Sequence, residues 1–219
     1  MARLYSFLIG YVLGLFQTAF IVGKLKGIDI REHGSGNAGT TNTLRVLGTK
    51  YGLIVFAGDM LKAILAGVIV RNTFGAMYPE LKYLLIVYSG LGCVLAHDFP
   101  FYMNFKGGKG IASTGGMIIS FHWITLLCGL AAFFIPFFLT HFVSLGSLIM
   151  YGTFFIEVVI LGQLGVFGMS AAALTEMYVI VGFLTALAYW QHRSNLKRLV
   201  TGQERKTYLT KKGHENPEH

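Results

Sequence analysis

The sequence predicts an all-α polytopic membrane protein with seven spanning segments, one of them a short half-helix. Three observations carry that expectation. The chain is 54% hydrophobic and only 13% charged, where a soluble domain carries about a quarter charged residues. The apolar residues fall in blocks long enough to cross a bilayer, and the mean hydropathy is +0.60. The basic residues gather between alternate blocks instead of spreading evenly.

Residues 4–23 follow a single basic residue, Arg3, and show no small-x-small cleavage site. They read as a retained span and not as a secretory signal. Residues 52–70 and 83–97 are the second and third spans. The block 111–140 is too long for one helix and too short for two full ones, since a span takes about 20 residues. It divides into a half-helix at 111–120, a turn near Phe121–His122–Trp123 and a full span, in which Pro136 is tolerated or kinks the helix. Blocks 147–169 and 172–190 complete the set. Residues 1–204 read as one membrane domain without repeat or linker, and 205–219 as a polar, disordered tail. Cys93 and Cys128 lie inside apolar blocks, so they read as packing residues and not as a disulfide framework.

Charge orients the bundle. Seven basic residues lie in the segments 24–51 and 98–110, and seven more follow the last span, from Arg193 to Lys212. The opposite loops offer Arg3, Arg71 and Lys82. This bias places the amino terminus outside and the carboxyl terminus in the cytoplasm. The net charge of +8 does not signal nucleic acid. Its cations hug membrane ends, where they attract anionic headgroups or anionic substrates.

The unusual loops share that basic side. Residues 31–46, REHGSGNAGTTNTLRV, contain Gly34-x-Gly36-x-x-Gly39, the spacing of a dinucleotide-binding turn. No apolar strand precedes it, however, and the acidic residue twenty positions on, Asp59, lies inside a span. The second loop, FPFYMNFKGGKG, fails as a nucleotide phosphate loop, because Met103 stands at the first glycine position and Gly110 follows Lys109. The shared physics survives: glycines bring backbone N–H groups close to an anion, and the following helix N-terminus adds a favourable dipole. Gly107, Gly108 and Gly110 before Ile111 fit that logic, with Lys106 and Lys109 as point charges. The plain alternative, glycines that merely turn the chain, serves one loop better than two on the same face. A third turn at 141–147, HFVSLGS, and the segment 191–204 complete the patch.

Asp59 and Lys62 stand three apart on one helical face and read equally as a structural ion pair or a functional one. His97 is either a loop anchor or a site residue. Glu157 and Glu176 read as near-interface or outer-side residues. No His, Cys or carboxylate cluster has metal-ligand spacing, and nothing announces a catalytic triad or a His-x-x-x-x-Asp acyltransferase base.

The segments GSGNAGTTNTLRVLG (34–48), FKGGKGIAST (105–114), VSLGS (143–147) and HRSNLKRLVTGQE (192–204) resemble the bacterial acyl-phosphate:glycerol-3-phosphate acyltransferases. The resemblance covers nearly the whole chain. It implies an inner-membrane enzyme with no cofactor and no metal, in which the hydroxyl of glycerol 3-phosphate attacks acyl phosphate directly. By motif match, Ser35, Lys109 and His192 carry the catalytic roles. Ser35, Arg45, Lys109, Ser147, His192 and Asn195 look like ligands of glycerol 3-phosphate. Asn37 and Asn42, with the backbone of Gly107 and Gly108, look like the acyl-phosphate end, and Gly110 joins the binding set. The implied partners are the two substrates, the bilayer and the enzyme that produces acyl phosphate. An organic-phosphate transporter is the rival class, since glycine-broken half-helices also serve transport. It fits less well, because the polar motifs lie at one face and not at the midplane.

Overall fold

The computed structural model describes residues 1–208. Lys211, Lys212, His214 and His219 lie outside the described residues. Six helical segments are long and apolar enough to cross a membrane, and Ile111–Phe121 is a shorter apolar helix beside them. No strand occurs among the described residues.

The first block is not one straight helix. α1 (Ala2–Gly14) and α2 (Thr18–Leu25) are separated by a break. Gln17, 1% exposed, turns its amide there, and Nε2 donates to the carbonyls of Gly14, Ala96 and His97. Backbone groups freed inside a membrane protein need such internal partners. The 24–51 loop contains a helix that its polar TTNTLRV sequence did not announce, α3 (Thr40–Leu47). α4 (Thr49–Asn72), the single turn α5 (Phe74–Met77) and α6 (Lys82–Asp98) follow.

The block 111–140 divides where its length required. α7 (Ile111–Phe121) ends at His122, whose ring accepts from the Ile124 N–H at 3.3 Å and starts α8 (Trp123–Thr140). Pro136 stays within α8. α9 (Val143–Gln163) begins earlier than expected, so Ser144 and Ser147 lie on its first turns and not in a loop. α10 (Ala171–Gln191) is followed by α11 (Arg193–Val200), a short surface helix.

α7 is buried along most of its length and packs on α4 and α6. A half-helix that spans no bilayer is viable there because protein surrounds it. Small residues permit the approach: a side chain on Gly116 would strike the Met60 carbonyl of α4, and one on Gly67 would strike Ser120. α1 meets α6 in the same manner, with Gly10 against Ser89 and Gly92 against Phe7. A core of Phe121, Tyr151, Phe154 and Met177 fills the space among α6, α7, α9 and α10.

Arg3 and Glu176 form a two-point ion pair, Nε to Oε1 at 2.6 Å and Nη2 to Oε2 at 2.8 Å, and the Tyr88 hydroxyl joins it. Glu176 lies in the second turn of α10 and so near the end opposite the glycine loops. Glu157, in contrast, has a buried carboxylate oxygen, Oε2, without a hydrogen bond.

Candidate active site

A cavity of ≈ 610 Å³ opens at the glycine-loop end of the bundle. Its floor and walls come from α4, α7, α8 and α9, and its mouth from the first loop, α11 and the chain after it.

The first loop is built on Asn42, which is 2% exposed. Its Oδ1 accepts from the Ser35 N–H at 2.7 Å, and its Nδ2 donates to the carbonyls of Ile30 and His33 at 3.0 Å each. Gly34 and Gly36 take φ values of 64° and 73° here, which favour glycine because a Cβ clashes in this region. The resulting turn carries Ser35 to the cavity mouth, exposed. Asn37 and the Ala38 N–H reach the Gly107 carbonyl at 3.4 and 3.3 Å, tying the two glycine loops together.

The second loop folds back on the end of α6. The N–H groups of Gly107 and Gly108 donate to the carbonyls of Asp98 and His97 at 3.1 and 3.0 Å. These two glycines, expected to present their backbone to a substrate, therefore lie behind the cavity wall. Lys109, Gly110, Ile111 and Ala112 line it instead. Gly110, at φ 70°, caps α7 without any side-chain partner. The first N–H groups of a helix have no partner within it, so those of Ile111 and Ala112 form an anion-ready terminus on the cavity.

Cations frame that terminus. Lys109 Nζ donates to Asn195 Oδ1 at 2.5 Å. Burial, then the Arg198 guanidinium, lower its pKa to about 8. His192, 4% exposed, lies at the junction of α10 and α11, with Nδ1 2.8 Å from the Ala188 carbonyl. That carbonyl can only accept, so Nδ1 carries the proton and Nε2 the lone pair. Burial, then the Lys109 charge, lower the His192 pKa to about 4. The neutral ring offers an acceptor at Nε2. That suits a hydroxyl better than a phosphate oxygen.

Arg45, on α3, lines the cavity and donates from Nη2 to Thr207 Oγ1 at 3.0 Å and to the Arg205 carbonyl at 3.3 Å. Burial, then Arg205, lower its pKa. The Thr207 N–H in turn donates to the His141 carbonyl at 2.9 Å. Residues 205–208, assigned to the tail, thus fold back across the mouth. Ser147 is fully buried on the wall and donates to the Val143 carbonyl of its own helix at 2.8 Å.

The family model described as glycerol-3-phosphate acyltransferase matches residues 4–202. Glycerol-3-phosphate acyltransferases of Bacillus subtilis strain 168 and Clostridioides difficile strain 630 are 38% and 40% identical to it. The first match covers 91% of this chain and 94% of the relative, the second 90% and 92%. This chain belongs to the glycerol-3-phosphate acyltransferase family. The fold is that of the crystal structure of PlsY, an integral membrane glycerol 3-phosphate acyltransferase. In its glycerol 3-phosphate form that structure matches at a TM-score of 0.81 and 31% identity, over 95% of this chain and 96% of that one. Its lysophosphatidic acid form matches at 0.78 and 30% identity, over 95% and 97%. This chain is accordingly an integral, multi-pass membrane protein.

One member of the constellation was not singled out in the sequence. Glu204 accepts from Ser144 Oγ at 2.9 Å, Asn195 Nδ2 at 2.7 Å and Arg198 Nε at 2.8 Å. Burial opposes its ionisation, but these three hydrogen bonds outweigh it and hold its pKa below the ordinary value. Its position at the end of the 192–204 motif was visible. Its contact with Ser144, sixty positions earlier, was not.

Proposed function

We propose that this protein transfers a fatty acyl group from acyl phosphate to sn-glycerol 3-phosphate, giving 1-acyl-glycerol 3-phosphate and inorganic phosphate. The observation that carries this is the two-part character of the cavity. A cationic chamber holds Arg45, Lys109, His192 and Asn195. It continues along Phe56, Ile111, Ala112, Phe133 and Phe134 into an apolar crevice of ≈ 60 Å³ between α4, α7 and α8, bordered by Met60, Ile118, Leu126 and Gly129. A polar phosphorylated acceptor and a lipid-chain donor meet naturally at such a junction. The names of the relatives, and the two ligand forms of the structural neighbour, support the same reading.

In this reading the acceptor's hydroxyl oxygen attacks the acyl carbonyl carbon. The bond from that carbon to the phosphate oxygen breaks, and the hydroxyl proton ends on the departing phosphate. His192 Nε2 accepts from the hydroxyl and orients it. Ser35, Arg45, Ser147 and Asn195 surround the glycerol 3-phosphate. Asn37 and Asn42 shape the loop at the acyl-phosphate end. Lys109 and the α7 N-terminus hold the phosphate of the donor and the charge that develops on it. Acyl phosphate is already activated, so orientation meets much of the barrier, a term of about 7–11 kcal/mol for well-aligned reactants. The glycine-loop end faces the cytoplasm of a bacterial inner membrane, by the excess of cations there. An acyl-phosphate-producing enzyme supplies the donor from that side.

The test is mass spectrometry of purified protein given glycerol 3-phosphate and palmitoyl phosphate. The expected product is 1-palmitoyl-glycerol 3-phosphate. Recovery of both substrates unchanged would refute the reading and favour transport.

A further inference from the structure

Beneath the glycine loop, three helical segments meet around a buried ammonium. Lys62 of α4 is 4% exposed. Its Nζ lies 2.8 Å from the Phe16 carbonyl, 3.2 Å from that of Gly14, 3.2 Å from Asp59 Oδ1 and 2.9 Å from His97 Nδ1. Asp59 also accepts from Thr18 Oγ1 at 3.0 Å. Charged groups are expensive inside a membrane protein and, where kept, mark functional positions.

What the ammonium does is set the His97 ring. A lysine ammonium only donates, so Nδ1 of His97 carries the lone pair and Nε2 the proton. An imidazolium would turn its N–H on the ammonium and does not fit. The other edge of the ring abuts the glycine loop: a side chain on Gly108 would overlap Nε2. His97 and Asp59 line the main cavity beside Gly110. His97 is 4% exposed, yet among the described residues Nε2 has no hydrogen-bond partner. The residue lines the cavity, so this N–H is a donor open to a ligand there, at the place where the loop meets α7.

We propose that Lys62 and Asp59 hold a neutral His97 so that its Nε2–H donates to an oxygen of the acyl phosphate seated at the α7 N-terminus. The inference rests on the acyl-phosphate reading above and adds a donor that none of the sequence motifs contains. Nε2 complements the negative charge that grows on the donor as its bond to phosphate breaks, and a fixed donor aimed at such charge loses nothing to reorganisation during the step. Lys62 and Asp59 act through the ring as positioning residues.

The experiment compares His97→Asn, whose amide reaches the Nδ1 position and keeps a partner for Lys62, with His97→Gln, whose amide reaches the Nε2 position. His97→Asn is expected to lower kcat by about 10²–10³-fold, the usual cost of one lost oxyanion donor, with the KM for glycerol 3-phosphate essentially unchanged. His97→Gln is expected to recover much of that loss. Independently, ¹⁵N spectra of histidine-labelled wild-type protein should show His97 protonated at Nε2 and not at Nδ1. Wild-type kcat in His97→Asn, equal losses in the two variants, or a proton on Nδ1 would each overturn the inference while acyl-phosphate-dependent synthesis by the wild type stands. A wild type that makes no product from acyl phosphate would instead refute the functional reading, and the donor role with it.

Discussion

Lys106 and Lys109 lie three residues apart in one loop, and their surroundings separate them. Lys106 is exposed, whereas Lys109 lines the cavity and reaches Asn195. Lys109→Ala is expected to lower kcat/KM by about 10²-fold or more, on the scale of a lost charge-stabilising donor. Lys106→Ala should cost far less, and steady-state kinetics of the two folded variants decides it. The same burial brings the Lys109 pKa down to about 8. The ammonium is the working form, present below that pH and lost above it. Activity should therefore fall as pH rises through about 8, and Lys109→Arg, which cannot titrate there, should abolish that alkaline limb even at reduced activity. His192 behaves differently. Its pKa, near 4, leaves it neutral across the working range, and it holds a substrate without storing an acyl group. His192→Ala is expected mainly to raise the KM for glycerol 3-phosphate. Labelled acyl phosphate given alone should leave no label on the denatured protein, as expected if neither Ser35 nor Ser147, the two serines of the proposed set on the cavity, is a nucleophile. A stoichiometric acyl-serine would overturn direct attack.

At the scale of elements, three pieces distant in sequence are stitched by one carboxylate. Glu204 joins α9 through Ser144 and α11 through Asn195 and Arg198, and Asn195 in turn holds Lys109 before α7. Its side chain is 4% exposed. Replacing it with alanine leaves three donors short of an acceptor, and a buried group so abandoned costs about 1–3 kcal/mol. Glu204→Ala should accordingly lower the melting temperature in detergent and raise the KM for glycerol 3-phosphate together, while Glu204→Gln, which keeps one acceptor, recovers part of both. A kinetic loss with unchanged melting would place Glu204 at the substrate and not in the scaffold. α3 is the other unannounced element. Its eight residues carry Asn42 and Arg45 on successive turns, so one helix both shapes the first loop and turns a guanidinium into the cavity.

For the whole molecule, the cations divide by side. The glycine-loop end should face the cytoplasm. With Cys93 and Cys128 replaced, a cysteine at position 76 should react with a membrane-impermeant thiol reagent in intact cells, and one at position 206 should not. The reverse pattern would invert the topology. The whole molecule also explains why α7 can stop halfway: α4 and α6 enclose it, and its N-terminus points into a chamber where an anion can take the place of a capping side chain.

Apolar length, charge asymmetry and glycine spacing are local properties of the chain, so the sequence shows which stretches are apolar enough to cross a membrane, where the 111–140 block divides, and which loops share the basic end. Ser35, Arg45, Lys109, His192 and Asn195 were legible as motif residues, and all five line the cavity. What each of them faces depends on packing between segments far apart in the chain. Gly107 and Gly108 turned inward because the α6 carbonyls took their N–H groups. The donor edge therefore moved on to Gly110 and the first turn of α7. Asp59, Lys62 and His97 left their role open in the sequence, since an ion pair three residues apart looks the same whether it braces a helix or aims a ring. Only the packing of α4 against the α1–α2 break and the end of α6 brought that ammonium to one imidazole nitrogen and left the other facing the loop.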